Sequence, residues 1–157
     1  MGSKPTVWLA ATKLAAPARR HDALPRPRLT NLLAKSLADA RLTLISAPAG
    51  SGKTALLAEL PHAFPETAWG WLLLDSEDDD PSRFAAALIA SLNAAGLPLE
   101  ADAAGPDTRA VITSVINQIG KCSRSVAVVL DDVHVISEPS VHDIMDYLLD
   151  RLRLTFG

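Results

Sequence analysis

Arg41-Leu-Thr-Leu-Ile-Ser-Ala-Pro-Ala-Gly-Ser-Gly-Lys-Thr54 is the stretch that decides how this chain is read. Leu42–Ser46 is an apolar run of strand length, and the loop Ala47–Thr54 follows it at once. The loop fits the phosphate-binding pattern, with alanine in place of the first glycine. Gly50 and Gly52 permit the tight curve that turns successive backbone N–H groups, from Ala49 through Ser51, toward an anion. A helix opening near Lys53 adds the positive end of its dipole. Lys53 supplies a full charge for the β- and γ-phosphates, and the Thr54 hydroxyl suits magnesium. The competing reading is a glycine turn with an incidental lysine. A strand before the loop and a helix after it argue against that.

The second signal is Val126-Ala-Val-Val-Leu-Asp131-Asp132, an apolar strand ending in two carboxylates. Ligands of open parallel sheets sit beyond the carboxyl ends of the strands. Asp131 is therefore expected beside the loop, holding magnesium through a water, and Asp132 is the candidate base for an attacking water. Capping of the strand is the bland alternative, and the position of the pair about 80 residues after the loop weighs against it. The expected site is thus Ala49, Gly50, Ser51, Gly52, Lys53 and Thr54 for the nucleotide, Thr54 and Asp131 for the metal, with Lys53 and Asp132 catalytic.

Around these motifs the chain alternates short apolar strands with amphipathic helices. Leu29, Leu32, Leu33 and Leu37 mark a helix from Arg28, and a second helix runs from Lys53 to about Leu60, where Pro61 is expected to stop it. Trp69–Leu74 reads as a strand. Ser82–Ala95 reads as a helix capped by Asp80 and ended by Gly96. Asp107 can cap the next helix, Val141–Leu149 forms another, and Arg151–Phe156 looks like the start of a further strand. This pattern predicts an α/β fold: a three-layer α/β/α phosphate-loop domain with a parallel sheet, incomplete at its C-terminal end. Residues 1–27, with four prolines and no sustained period, read as an extended arm, and 28–157 as the nucleotide-binding domain.

The 157 residues suffice for one domain with a core. Fifteen basic and eighteen acidic residues give a formal charge of −3, which supports no nucleic-acid footprint. Arg19, Arg20, Arg26 and Arg28, interrupted by prolines, read as solvated loop charge. The single cysteine, Cys122, excludes an intrachain disulfide and is taken as a packing residue. No secretory signal and no membrane-length apolar run are present, so a cytoplasmic protein without membrane contact is expected. Asp75 ends a strand and either joins the same crevice or simply turns the chain. His134 is read as packing under the loop, His62 and His142 as surface residues, and Trp8, Trp69 and Trp71 as core or edge packing.

Several segments together resemble the N-terminal nucleotide-binding domain of MalT-like regulators, the large ATP-dependent members of the LuxR family in the STAND class. They are Thr12-Lys-Leu14 with Pro17, Leu24-Pro-Arg-Pro-Arg-Leu29, Arg41–Thr54, Trp71–Asp75 followed by Asp80-Pro-Ser-Arg-Phe84, and Val128–His134. The resemblance runs from about Thr12 to the C-terminus. It implies an ATP/ADP switch with Mg2+, self-association of the full-length protein, and slow hydrolysis at most. It also implies an inducer site in a later repeat region, and DNA read only through a C-terminal domain that lies outside this sequence. By the same analogy Leu24–Leu29 would lie near the adenine. ATP is expected over GTP because no guanine-reading motif follows the acid pair. The rival readings are an AAA+-type motor or loader, and a small-molecule or nucleotide kinase. The kinase would need a basic lid that the scattered arginines after the loop do not supply.

Overall fold

The computed structural model describes residues 9–19, 21–22, 24–39, 52–103 and 105–151. The expected strand Leu42–Ser46, the loop residues Ala47–Ser51, Trp8 and the segment 152–156 lie outside them. Helix α1 spans Pro27–Asp39, α2 Lys53–Ala63, α3 Pro81–Ala94, α4 Thr108–Gly120 and α5 Pro139–Arg151; strands β1 and β2 are Ala68–Leu73 and Val126–Asp131. The strands pair in parallel, from Ala68 opposite Val126 to Leu73 opposite Asp131. The architecture is α/β, as the alternating pattern predicts.

Side chains alternate across a strand, so each strand has two faces to bury. Ala68, Leu72 and Val126 join Phe84, Leu88 and Leu92 of α3, Ile112 and Val115 of α4, and Val141, Ile144 and Leu148 of α5 in one core. Phe84, Leu92, Ile112, Val115 and Val141 are fully buried there. Each contributes about 2 kcal/mol of apolar burial, which is what holds three helices to so short a sheet. Gly70 brings α3 close, since a Cβ at that position would lie 3.3 Å from both Leu92 and Ser91. The alternate positions Trp71, Ala127 and Val129 are buried outside that cluster, in keeping with the packing role expected of Trp71. Trp69 is tied by its indole N–H to the Phe64 carbonyl at 3.1 Å.

The helix ends follow local chemistry. Pro27 and Pro81 each occupy the first helical position, where a missing N–H costs nothing. Asp80 accepts from the Arg83 N–H and Asp107 from the N–H groups of Arg109 and Ala110. Pro61 does not stop α2, contrary to the sequence expectation. It falls in the last turn, where only one helical bond is forfeited, and the Phe64 N–H still reaches the Leu60 carbonyl at 2.9 Å. α3 ends in a paired closure: the Leu97 N–H returns to Leu92 O and the Gly96 N–H to Asn93 O, with Gly96 at φ +88°. Leu97 is buried as a result. At the other end of the helical layer the Tyr147 ring lies between the guanidinium groups of Arg109 and Arg151, at 4.4 and 4.9 Å, and its hydroxyl shares a 2.9 Å hydrogen bond with Thr113, joining α4 to α5.

Within the proline-rich N-terminal segment, Ala11–Lys13 form a 3-10 turn that docks on β1. Lys13 is buried, and its ammonium group meets Asp75 at 2.8 Å and Asp78 at 2.5 Å. Asp78 is itself buried, and its carboxylate also accepts the Asp75 N–H. This clasp explains how a segment without periodicity stays attached. Burial alone pushes the Lys13 pKa down, but the two carboxylates outweigh it and the pKa is raised. The Lys13 hydrogen bond in turn lowers the pKa of Asp75.

Two outcomes follow for stability. Gly96→Ala places a Cβ in open space but at a left-handed backbone, so it costs about 1 kcal/mol through conformation alone. A denaturant midpoint shift without a change in slope is the expected reading. Lys13→Met leaves the Asp78 carboxylate buried without its cation, at a cost of about 3 kcal/mol. Asp75, with its lowered pKa, stabilises the fold fully above its unfolded value and loses that contribution as pH falls through the folded one. Lys13, with its raised pKa, contributes below its unfolded value and ceases to as pH rises through the folded one. In a pH series of urea melts the variant should therefore lose part of both the acid and the alkaline dependence.

Candidate functional site

α2 opens at Gly52, whose φ of +84° places it in the left-handed region that favours glycine. The first-turn N–H groups of α2 have no partners within the helix, and the positive end of its dipole lies at Gly52. The Thr54 hydroxyl then donates to Asp131 Oδ2 at 3.0 Å, across 77 positions of sequence. Asp131 ends β2 on the strand face that alternates with Val126, Val128 and Leu130, the residues turned toward α3–α5. Its carboxylate therefore points to the side from which α2 approaches. The other oxygen, Oδ1, accepts the N–H of Asp132 at 3.1 Å, so the carboxylate is held at both ends.

Two oxygens that meet in this way suit a hard divalent cation. Adjacent ligands of octahedral magnesium are about 2.9 Å apart, close to the observed Thr54–Asp131 separation. The donor set is hydroxyl and carboxylate, without the nitrogen or sulfur that would favour zinc. The residues thus fit the ion that the sequence predicts.

Asp132 is exposed and adopts φ 60°, the positive-φ non-glycine residue among those described. Aspartate tolerates this conformation better than most residues, yet it carries a strain of about 1 kcal/mol. Its carboxylate lies 3.9 Å from Nδ1 of His134. His134 is itself exposed, not packed under the loop as its sequence position suggests, because the 3-10 turn Val133–Val135 carries it outward. His142 Nε2 donates to the Ile136 carbonyl, 3.2 Å away, so this exposed histidine has a backbone partner. Asp75 does not turn into the crevice: Lys13 holds it, which removes the alternative of a second acid at the metal.

Three contributors were hidden in the sequence. Asp79 accepts from the Ser137 N–H at 2.9 Å, the Ser137 hydroxyl at 2.6 Å and the Glu138 N–H at 2.7 Å. These bonds lower its pKa, the Ser137 hydroxyl contributing most. They tie the loop after β1 to the segment that follows the acid pair, and so brace Asp131 and Asp132 from outside. Lys13 braces the same loop from the opposite side. Arg26, read from sequence as solvated loop charge, places its guanidinium 3.3 to 3.6 Å from where a Cβ on Gly52 would stand. The signal that could have found it was Leu24–Leu29, whose likeness to a family lead-in put that segment near the nucleotide.

Beside Gly52 lies a cavity of about 260 Å³ lined by Asp22, Leu24, Arg26, Gly52, Ala55, Leu56 and Glu59. Leu24, an apolar wall of this cavity, is 83% exposed. A second cavity, between the starts of α3, α4 and α5 at Pro81, Thr108 and Ser140, shares no residue with the first.

The pattern described as an AAA ATPase domain matches residues 26–155. A protein named HTH-type transcriptional regulator MalT from Serratia proteamaculans is 34% identical over 148 residues, 90% of this chain and 16% of that protein. Proteins of the same name from Yersinia enterocolitica and Vibrio campbellii are 32% and 30% identical over 90% and 93% of this chain. The chain spans 16% of the length of each of these relatives. It therefore belongs to the AAA ATPase domain family.

Proposed function

We propose that this chain is a nucleotide switch: it binds ATP or ADP with Mg2+, and the difference between the two states is passed to the rest of a transcriptional regulator. The observation that carries this reading is the hydrogen bond between Thr54 and Asp131, which brings the end of the phosphate loop and the acid of a distant strand to one point. Ala49 to Gly52 would donate backbone N–H groups to the phosphates, and Lys53 would neutralise the β- and γ-oxygens. Thr54 and Asp131 would hold magnesium, which supplies charge neutralisation at the phosphates when bound. Asp132, exposed on a left-handed turn next to Asp131, would orient and deprotonate the attacking water. Leu24 and Leu56 form apolar walls of the cavity beside Gly52, where the base would stack.

The relatives' printed name places domains of this kind in regulators with a helix-turn-helix part, which favours a switch over a motor or a kinase. DNA would be read by that part and not by this acidic chain. Self-association would belong to the full-length protein, in the cytoplasm. A switch depends on unequal binding of the nucleotide to two conformations, since equal affinity shifts nothing however tight it is.

Titration calorimetry with MgATP and MgADP tests the site. The wild-type chain should bind both, and Lys53→Ala should weaken ATP at least tenfold through loss of a charge-assisted contact. Asp131→Asn should reduce the magnesium dependence of binding while leaving metal-free affinity nearly unchanged. A folded wild-type chain that binds neither nucleotide overturns the reading. Asp132→Asn keeps a residue that tolerates φ 60°, so fold and affinity should persist while ATP turnover falls at least tenfold. Unchanged turnover would remove Asp132 from the chemistry.

A further inference from the structure

We infer that Glu59 is a specificity-determining residue that selects adenine by accepting a hydrogen bond from its exocyclic amino group. The inference rests on the nucleotide reading above and names what that site discriminates. Gly52, Ala55, Leu56 and Glu59 recur at the spacing of one helical face, and all four line the same cavity. Gly52 marks its phosphate end. Glu59 stands seven residues further along α2, about 10 Å away at the helical rise, a span that suits the far edge of a purine. Between them Leu56 on α2 and the exposed Leu24 on the lead-in offer two apolar walls for a flat ring.

The Glu59 carboxylate is under-committed for a half-buried group. Among the described residues its hydrogen-bond partner is the Thr30 hydroxyl, at 3.4 Å from Oε2. That hydroxyl has one proton and lies closer, at 3.2 Å, to the carbonyl of Arg26. When Thr30 donates to Arg26, the carboxylate retains its full accepting capacity toward the cavity. A half-buried acceptor whose donor among the described residues has a nearer acceptor can take an N–H from a ligand. In the same pose position 6 of adenine presents an amino donor, whereas guanine and hypoxanthine present a carbonyl oxygen there, which a carboxylate repels. Guanine would have to shift in the cavity to bring its N1–H and 2-amino donors to Glu59. Selectivity then has an attractive and a repulsive part. Asp22, the other carboxylate of the lining, is exposed on a loop and lacks the support of a helix.

The test compares ATP, purine riboside 5′-triphosphate, which lacks the amino group, and GTP by calorimetry on the 157-residue chain and on Glu59→Leu, Glu59→Gln and Asp22→Asn. The wild type should prefer ATP to the purine riboside triphosphate about tenfold, as for a hydrogen bond to a charged acceptor, and should bind GTP more weakly still. Glu59→Leu should bring the first two to equality, while Glu59→Gln, which keeps a carbonyl acceptor, should restore part of the preference. The ratio of two affinities in one preparation does not depend on the folded fraction. A merely structural role for Glu59 would weaken all three ligands together, and that outcome overturns the inference. So does GTP binding as tight as ATP, or a preference that follows Asp22 instead. If no nucleotide binds, or binding ignores Lys53→Ala, the nucleotide site itself falls and the inference with it. If ATP binding needs Lys53 but the ratios ignore Glu59→Leu, the inference alone falls.

Discussion

The parallel pairing of β1 with β2 is the constraint on which the rest of the molecule depends. Parallel strands end at the same edge of a sheet, so the loops that follow Leu73 and Asp131 are neighbours by necessity. Those loops and the end of β2 concentrate carboxylates at one end of a small domain, among them Asp75, Asp78, Asp79, Asp131 and Asp132. Such a concentration is stable only if the charges are engaged. Lys13 takes Asp75 and Asp78, the start of α5 takes Asp79, and Thr54 takes Asp131. Asp132 remains exposed, on a strained turn.

This division separates support from chemistry. Asp79 and the Lys13 clasp fix loops through several short bonds each, and their pKa shifts report how well the charged forms are held. Asp131 is held more lightly, by one hydroxyl and one backbone N–H, both of which a cation can replace or tolerate. In the proposed nucleotide site, a residue that exchanges partners as a ligand arrives needs such modest commitments. The same argument applies to Glu59, whose only donor among the described residues has a nearer acceptor.

The N-terminal segment illustrates how function can be placed on a stretch without secondary structure. Its prolines prevent a regular element, yet Lys13 anchors one end in the clasp and α1 begins at Pro27 at the other. Between these anchors Leu24 and Arg26 are carried over the start of α2, where one lines a cavity and the other lies against Gly52. An arm held at two points can cover a ligand site without belonging to the sheet. Preorganisation of this kind lowers the ordering cost of binding.

The elements themselves were legible because their signals are local. Short continuous apolar runs placed β1 and β2, a period of 3.6 placed the helices, and Asp80, Asp107 and Gly96 marked ends through bonds to residues a few positions away. The spacing in Ala47–Thr54 and the carboxylates ending Val126–Asp132 pointed to the two halves of the candidate site, and of these the structure describes the contact between Thr54 and Asp131. Pro61 misled because its effect depends on whether a turn or a whole helix follows it. Asp75 and Arg26 were ambiguous for a deeper reason. Whether a charged side chain pairs, packs or meets a ligand is set by partners 26 to 62 positions away, as between Lys13 and Asp75 or Arg26 and Gly52. The sequence by itself determined the α/β pattern and most of the element ends, and it suggested the phosphate-loop chemistry, all of which rest on neighbours along the chain. Only the tertiary structure decided which carboxylates are bound in structural bonds and which face an open cavity, because that choice depends on distances across the fold.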